Sequence, residues 1–195
     1  MTGPITELHS IMPITNISSV MQHGILSNEM AAKLAHQSVA MGEIQDRRDR
    51  VQVPGGLKLH QYANLYFHAR NPMLFKRKSQ SELLCVLRVS PSVLQLPDVV
   101  LTDQNASSAY VRFLSAAQIS LIDFALVFAE DWRHPGDQIA YWRHKSVKCA
   151  EVLIPRKVSP ELIEGAYATS DAAAAALQAQ GFVHEVRIDP HLFFL

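Results

Sequence analysis

One glutamate lies within an apolar segment near the C-terminal end of the chain. The segment reads Lys148-Cys149-Ala150-Glu151-Val152-Leu153-Ile154-Pro155 and predicts a strand. An ionised carboxylate in such a strand either faces water at an edge or is buried beside a cation that compensates its charge. Spacing alone leaves both possibilities open. If Glu151 is buried, Arg48 is the candidate partner.

Arg48 belongs to a charged segment, residues 43–50, that predicts a helix. In that helix, acidic residues four positions earlier pair with Arg47 and Arg50, whereas Arg48 has no carboxylate at this spacing. An arginine left unpaired in its own helix can bind a phosphate or a distant carboxylate with two parallel hydrogen bonds. A simple surface arginine is the alternative.

Aromatic side chains are mixed with His, Asn and Arg in residues 60–75, which run into Lys76-Arg77-Lys78. Rings that stack on bases beside cations that neutralise phosphates are typical of proteins that bind single-stranded nucleic acid. The same residues also fit a strand and turn, with Tyr66 and Phe67 in the core. A short polar segment, Thr102–Ala106, follows another predicted strand and is explained by a turn.

Several common catalytic signatures are absent from the sequence. No Walker A loop, G-x-G-x-x-G fingerprint, G-x-S-x-G elbow or H-E-x-x-H motif occurs, which argues against the corresponding kinases, dehydrogenases and hydrolases. The two cysteines, Cys85 and Cys149, form neither a disulfide framework nor a structural zinc site. We therefore expect a reducing compartment and no metal.

Short helices and short strands alternate along the chain. Helical patterns cover residues 16–23, 30–38, 43–50, 116–128, 171–180 and a segment that begins at Ser159. Strand patterns cover residues 83–89, 99–101, 147–154 and 183–188. Scattered short strands among helices favour an α+β fold over a doubly wound parallel sheet.

The net charge of zero conceals a regional asymmetry. The 195 residues include 18 Lys and Arg and 18 Asp and Glu, with 48% hydrophobic residues, which is enough for one domain with a real core. Residues 43–78 contain eight basic and three acidic residues, a net of +5, and residues 79–142 contain three basic and seven acidic, a net of −4. The balance excludes a uniformly basic nucleic-acid binder and leaves a local basic face.

The N-terminus lacks the basic and apolar regions of a secretory signal. No apolar run approaches the roughly 18–20 residues that span a bilayer. These features predict a cytoplasmic protein that does not enter a membrane.

Six segments, in this order along the chain, resemble the DarT-type ADP-ribosyltransferase toxins, which modify bases of DNA using NAD. They cover about residues 5–168, and the Arg-Asn-Pro-Met block and the Ala-Glu strand are the most specific. The matching segments are Ser10–Ile17, His23–Leu26, Gln45–Arg48, Leu59–Met73, Thr102–Ala106 and Ala150–Pro155.

The resemblance implies a single ADP-ribosyltransferase domain over residues 1–195, with a central split, mostly antiparallel sheet flanked by helices. It implies that Glu151 and Arg48 are catalytic. Glu151 would hold a ribose hydroxyl, stabilise the developing cation and help deprotonate the base. Arg48, with Arg47, would hold the pyrophosphate and orient Glu151. Which of the two arginines is catalytic stays open.

The resemblance also implies the binding residues and partners. An early His-x-Thr-type element of the family reads His9-Ser10 here, so these two are the candidates for the nicotinamide side. The NAD-binding candidates are His9, Ser10, Asn16, Gly24, Leu26, Arg47, Arg48 and Tyr66. The DNA-binding candidates are Tyr66, Arg70, Asn71, Met73 and Lys76. The expected partners are NAD, single-stranded DNA and an antitoxin that is a macrodomain or related ADP-ribosyl hydrolase, and the chain is expected to be a monomer.

Two other classes of function remain possible. The chain could be a non-catalytic nucleic-acid-binding module that uses residues 43–78, or a transferase that modifies RNA or protein. For a DNA acceptor, guanine and thymine are both candidates. The form of Leu59–Phe67 resembles the relatives that modify guanine.

Overall fold

The computed structural model describes residues 5–34, 36, 37 and 42–195, and for residues 42–45 the backbone alone. The strands of these residues are β1 (Leu8–Pro13), β2 (Ile25–Leu26), β3 (Tyr62–Tyr66), β4 (Leu84–Val89), β5 (Val100–Thr102), β6 (Phe113–Ser115), β7 (Glu151–Pro155), β8 (Lys157–Val158), β9 (Ile163–Ala168) and β10 (Glu185–Ile188). The helices are α1 (Ile17–His23), α2 (Asn28–Ala31), α3 (Gly42–Asp49), α4 (Pro72–Phe75), α5 (Phe124–Val127), α6 (Gln138–Val147) and α7 (Asp171–Ala179).

Eight strands form one sheet in the order β10-β9-β4-β1-β3-β7-β5-β6, and β2 pairs with β8 separately. Every neighbouring pair in the large sheet is antiparallel except β9 and β10. Among the described residues, β1 and β3 share a single register pair, His9 with Tyr66. The sheet therefore opens between these two strands. The predicted α+β fold with a split, mostly antiparallel sheet is confirmed.

Side chains on both faces of the sheet are buried. In β4, Cys85, Leu87 and Val89 pack into one hydrophobic cluster, while Leu84 and Val86 pack into another. Successive side chains of a strand point to opposite faces, so a strand covered on both faces needs a nearly continuous apolar run. This explains why the strand pattern of residues 83–89 identified β4 correctly.

The prediction of a strand over residues 147–154 is partly wrong. Helix α6 extends to Val147, with Asp137 accepting a hydrogen bond from the N–H of Ala140 at its start, and β7 begins at Glu151. The apolar side chain of Val147 packs in the core from a helix rather than a strand. A short apolar run cannot distinguish the two by periodicity.

Two helix predictions also differ from the structure. Ser159 begins only a short 3-10 turn, Pro160–Leu162, because strand β9 follows directly and pairs with β4. A helix was expected over residues 30–38, but the structure has the shorter helix α2 at Asn28–Ala31, followed by a turn. Positions 35 and 38 of that prediction lie outside the described residues.

Gly24 follows α1 with a positive φ of 87°, and a side-chain carbon there would collide with the carbonyl oxygen of Val158. The position therefore requires glycine. Among the helices described here, none is both long and apolar enough to cross a bilayer.

Candidate active site

Glu151 is the first residue of β7 and has no exposed surface. Its two carboxylate oxygens lie 3.1 and 3.0 Å from Nη1 of Arg48. The backbone N–H of Ala106 donates a third hydrogen bond, 3.0 Å to Oε1. The carboxylate is therefore buried beside a cation, and the edge-strand alternative is wrong.

Arg48 reaches this carboxylate from the last turn of α3, 103 positions earlier in the chain. Only 7% of Arg48 is exposed, whereas Arg47 is exposed. Successive residues of a helix point about 100° apart, so one helix turn directs Arg48 to Glu151 and Arg47 elsewhere. The ion pair expected from the sequence is present. The side chain of Glu43, the predicted partner of Arg47, lies outside the described residues.

A closed loop between β5 and β6 supports the ion pair. Thr102 Oγ1 accepts a 3.0 Å hydrogen bond from the N–H of Glu151. Asp103 and Arg112 close the loop, because the Asp103 carboxylate accepts from the N–H and Nε of Arg112 at 2.9 and 2.7 Å. The Thr102–Ala106 turn thus contributes directly to the site, through a backbone N–H that residue types do not reveal.

A cavity of about 770 Å³ lies beside the ion pair. It is situated where the sheet opens, with residues of β1 on one side and Asn64 and Tyr66 of β3 on the other. Among the described residues that line it, four are Arg or Lys and none is Asp or Glu; the four are Arg47, Arg48, Lys76 and Lys145. A concentrated positive charge in a neutral chain makes this cavity suitable for phosphate groups.

Nine of the predicted site residues line this cavity. They are Ser10, Asn16, Gly24, Leu26, Arg47, Arg48, Tyr66, Met73 and Lys76. Glu151 is not among the lining residues, but it is hydrogen-bonded to Arg48, which is. His9, Arg70 and Asn71 are not among the lining residues.

Arg70 and Asn71 contact the protein itself. Arg70 Nε and Nη1 donate to the carbonyl oxygens of His191 and Glu130, at 3.0 and 2.9 Å, and its guanidinium lies 4.2 Å from the ring centre of Phe194. Asn71 is fully buried and caps α4 by accepting from the N–H groups of Met73 and Leu74. These contacts hold the segment between β3 and α4 in place.

His9 pairs with Tyr66 across the sheet and contacts Glu7, whose Oε1 lies 3.0 Å from its Nε2. Its Nδ1 is buried with no hydrogen-bond partner among the described residues. Although burial opposes it, hydrogen bonds from His9, Arg88 and Tyr167 lower the pKa of Glu7 to about 2.

Tyr66 lies next to Glu151, its register partner on β7. Burial and the nearby charge of Glu151 raise the pKa of Tyr66 well above its usual value. Its hydroxyl therefore stays protonated at the edge of the cavity. Burial likewise raises the pKa of the Cys149 thiol to about 12, so Cys149 packs as a neutral side chain. Both cysteines are free.

A buried lysine lies next to this region. Lys148 Nζ donates to the carbonyl oxygens of Val127 and Ala129 at 2.8 and 2.7 Å, and lies 2.9 Å from Nδ1 of His68. Burial lowers the pKa of Lys148 to about 8. Burial and the charge of Lys148 lower the pKa of His68 to about 3, so His68 is neutral and accepts from Lys148.

Several lining residues were not identified from the sequence. Tyr110, Trp142 and Lys145 line the cavity from the β5–β6 loop and from α6. A sequence does not distinguish an exposed aromatic ring from a buried one, and helix α6 itself was not predicted. These three residues therefore had no clear signal in the sequence. Within the described residues, no group of three or more His, Cys, Asp and Glu side chains is arranged to bind a metal ion.

Comparison with known proteins gives a family match over almost the whole chain. The family model described as "ssDNA thymidine ADP-ribosyltransferase, DarT" matches residues 9–194. A DNA ADP-ribosyl transferase–DNA ADP-ribosyl glycohydrolase fusion protein of Thermosipho africanus is 28% identical, and the match covers 97% of this chain and 50% of the relative. A DNA ADP-ribosyl transferase of Thermus aquaticus is 29% identical, covering 82% of this chain and 73% of the relative. This chain thus spans half the length of the fusion protein.

Solved structures agree with the fold. The Thermosipho africanus DarTG in complex with ADP-ribose superimposes with a TM-score of 0.86 at 28% identity, covering 97% of this chain and 51% of that chain. Thermus sp. 2.9 DarT has been solved with ADP-ribosylated ssDNA and with NAD+, with TM-scores of 0.83 and 0.79 at 23% and 22% identity. These two matches cover 98% of this chain and 98% and 99% of that chain. At that identity the likeness to the Thermus protein is one of fold. Since the family model matches residues 9–194, this chain belongs to the DarT family.

Proposed function

We propose that this chain transfers ADP-ribose from NAD to a base of single-stranded DNA. The observation that carries the proposal is the buried ion pair of Arg48 and Glu151 beside a cavity lined by cations. Breaking the bond between ribose and nicotinamide passes through an oxocarbenium-like transition state, which a carboxylate stabilises. The names of the two relatives specify DNA ADP-ribosyl transfer and support the same reaction.

Glu151 has capacity for one further hydrogen bond. It accepts two from Arg48 and one from Ala106, and an ionised carboxylate accepts about four. The remaining position suits a ribose hydroxyl, and such a bond strengthens as positive charge develops on the sugar. Because Glu151 has no exposed surface, this contact requires Arg48 to shift. A pyrophosphate bound by Arg47 and Arg48 supplies the countercharge for that shift.

The remaining polar and cationic lining fits NAD as the donor. A volume of about 770 Å³ lies within the range of small-molecule sites, about 300–1,000 Å³. We assign Ser10, Asn16 and Gly24 to the NAD side, with Leu26 and Tyr66. His9 does not line the cavity, and we assign it to this side because it pairs with Tyr66 across the sheet. Met73 and Lys76 are assigned to the DNA side, and Arg70 and Asn71 position their segment. The single transferase domain is taken to span residues 1–195, as a monomer.

For the acceptor base we propose guanine, with thymine as the alternative. The form of Leu59–Phe67 supports guanine, while the description of the family model names thymidine. Oligonucleotides that each carry one type of modifiable base separate the two. Adduct formation on only the thymine oligonucleotide would overturn guanine.

We also propose that the chain acts as a toxin neutralised by an ADP-ribosyl hydrolase. The fusion of both activities in the Thermosipho africanus relative supports this pairing. Expression of the active chain is expected to arrest growth, and co-expression of a DNA ADP-ribosyl glycohydrolase is expected to restore it. Absence of arrest by the active chain would contradict the toxin role, and arrest that persists in a Glu151→Gln variant would show that ADP-ribose transfer does not cause it.

The transferase activity is tested by incubating the chain with NAD and single-stranded oligonucleotides, followed by mass spectrometry. One ADP-ribose per modified strand is expected. Binding of DNA without an adduct on any base would favour a non-catalytic module. Adducts that form on RNA or protein in competition with DNA would mean that RNA or protein is the acceptor.

Glu151→Gln provides the matched test of the carboxylate, because it retains the side-chain shape and removes the charge. We expect loss of adduct by at least about a hundredfold, with a folded protein by circular dichroism. Glu164→Gln is the control, since Glu164 is a strand residue that is exposed. Near wild-type turnover in Glu151→Gln would refute a catalytic role for Glu151.

A further inference from the structure

Two large aromatic rings are exposed at the cavity, and neither belongs to the residues assigned above. Tyr110 in the β5–β6 loop is 86% exposed and Trp142 in α6 is 62% exposed, and both line the cavity. Burial of such rings is normally favourable, so two exposed rings around one cavity indicate a surface that a ligand covers. Resting on the proposed function, we propose that Tyr110 and Trp142 stack on the bases of single-stranded DNA that flank the acceptor base.

The loop that carries Tyr110 is held in one shape. Asp103 and Arg112 join its two ends, and Arg112 Nη2 also donates to the carbonyl oxygen of Leu121 at 3.0 Å. Inside the loop, Asn105 Oδ1 accepts from the N–H and hydroxyl of Ser107. The N–H of Tyr110 lies 3.2 Å from Oγ of Ser108. A loop ordered in advance loses little conformational entropy when a base stacks on its ring.

Both rings are tied to the catalytic carboxylate through the backbone. The loop of Tyr110 also supplies the Ala106 N–H that bonds Glu151. The N–H of Asn105 donates to the carbonyl oxygen of Ser146 in α6, at 3.0 Å, and Trp142 lies one turn earlier in this helix. Bases stacked on these rings are therefore held at a fixed distance from Glu151.

Charge favours a nucleic-acid strand as the occupant. Lys145 follows Trp142 by three residues, so it lies on the same face of α6, and it lines the same cavity. A cation beside stacking rings is the arrangement that binds a single strand, whose bases are free to stack and whose phosphates are close by. A duplex keeps its bases paired and cannot use the rings in this way.

The test compares ring removal with ring retention. Tyr110→Ala and Trp142→Ala are expected to weaken binding of a single-stranded oligonucleotide, measured by fluorescence anisotropy, by about 5- to 150-fold each. Tyr110→Phe and Trp142→Phe keep a ring and are expected to retain most of the affinity. Ile139→Ala is the matched control: Ile139 is 76% exposed on the same helix and is not a lining residue.

A second arm identifies what the rings contact. An oligonucleotide with abasic nucleotides on both sides of the acceptor base is expected to bind the unaltered protein more weakly. It is expected to lose little further affinity in the alanine variants, since the stacking partner is already absent. Equal losses for intact and abasic strands would overturn the proposal.

The same variants distinguish this inference from the proposed function. NAD affinity, measured by titration calorimetry, is expected to stay essentially unchanged in all of them. A loss of NAD affinity with unchanged DNA affinity would place the rings on the donor side and overturn the stacking role. If the unaltered chain forms no DNA adduct, the proposed function fails. If it forms adducts and the alanine variants bind DNA normally, only the stacking inference fails.

Discussion

Arg48 and Glu151 depend on each other because both are buried. Removing one partner of a buried ion pair leaves the other charge without compensation, and this costs about 3–5 kcal/mol. The pair uses only Nη1 of Arg48 and both oxygens of Glu151. Under the proposed function, a change at either residue is therefore expected to affect both stability and catalysis, and the two effects must be measured separately.

The adjacent arginines provide a matched comparison. We expect Arg48→Ala to lower the free energy of unfolding by about 3 kcal/mol and to abolish ADP-ribose transfer. Arg47→Ala is expected to change stability by less than about 0.5 kcal/mol, because Arg47 is exposed, and to raise the KM for NAD. Urea unfolding and steady-state kinetics measure the two. Equal destabilisation by both substitutions would show that the ion pair does not stabilise the fold.

Much of the Arg48–Glu151 ion pair could be predicted from residue types, but its surroundings could not. A carboxylate in an apolar strand requires a cation, and Arg48 was the arginine without a partner in its own helix. By contrast, the third hydrogen bond to Glu151 comes from the backbone of Ala106, which any residue type supplies. The family resemblance made Arg70 a candidate DNA contact, yet its guanidinium bonds to two backbone carbonyls.

The Lys148–His68 pair predicts acid sensitivity. Burial and the charge of Lys148 lower the pKa of His68 to about 3, against about 6.5 in an unfolded chain. Between these values the unfolded chain binds more protons, so the free energy of unfolding falls as pH is lowered from about 6.5 towards 3. From about pH 6.5 to about pH 4.5 we expect a loss of up to about 2 kcal/mol in urea unfolding.

His68→Asn tests this assignment. The asparagine amide would still offer Lys148 an acceptor oxygen, and it does not titrate. The variant should therefore lose less stability over the same pH range. Glu7 contributes mainly below this range, because its stabilisation is lost between its ordinary pKa of 4.5 and its folded pKa of about 2. Identical pH dependence in the variant and the unaltered chain would mean that another group is responsible.

At the scale of elements, the β5–β6 loop joins the proposed stacking ring of Tyr110 to the proposed catalytic carboxylate of Glu151. Its ends are joined by Asp103 and Arg112, and it carries both Tyr110 and the Ala106 N–H. Asp103→Ala is expected to raise the KM for DNA by up to about fivefold while the Kd for NAD stays unchanged, because the loop gains freedom. Asp131→Ala, which removes another Asp–Arg pair, is the control. A changed NAD affinity would contradict this division of roles.

Elements with one clear pattern were predicted and those that depend on distant pairing were not. The apolar run of β4 and the capped α7 were identified from local signals. Strand β9 was missed, because a helix-like start at Ser159 concealed residues that become a strand by pairing with β4. Helix α6 was missed where its end merges with the apolar residues before β7. For β9 the partner that decides the structure, β4, is distant in sequence.

For the whole molecule, the small number of cations at the cavity predicts a weak dependence of DNA binding on salt. Besides Arg47 and Arg48, which are assigned to the pyrophosphate, the described cations that line the cavity are Lys76 and Lys145. Each phosphate neutralised on a single strand contributes about −0.7 to the slope of log affinity against log salt concentration, so two contacts give a slope of about −1.4. Anisotropy titrations over a range of NaCl concentrations measure this slope.

Lys145→Gln should make the slope less steep by about 0.7, since it removes one phosphate contact. Lys157→Gln should leave the slope unchanged, because Lys157 is exposed and is not a lining residue. A slope steeper than about −4 would mean that DNA follows an extended basic surface beyond the cavity. A slope of about −1.4 instead means that the chain binds a few nucleotides around one base. That is the behaviour required of an enzyme that modifies a base and then releases the strand.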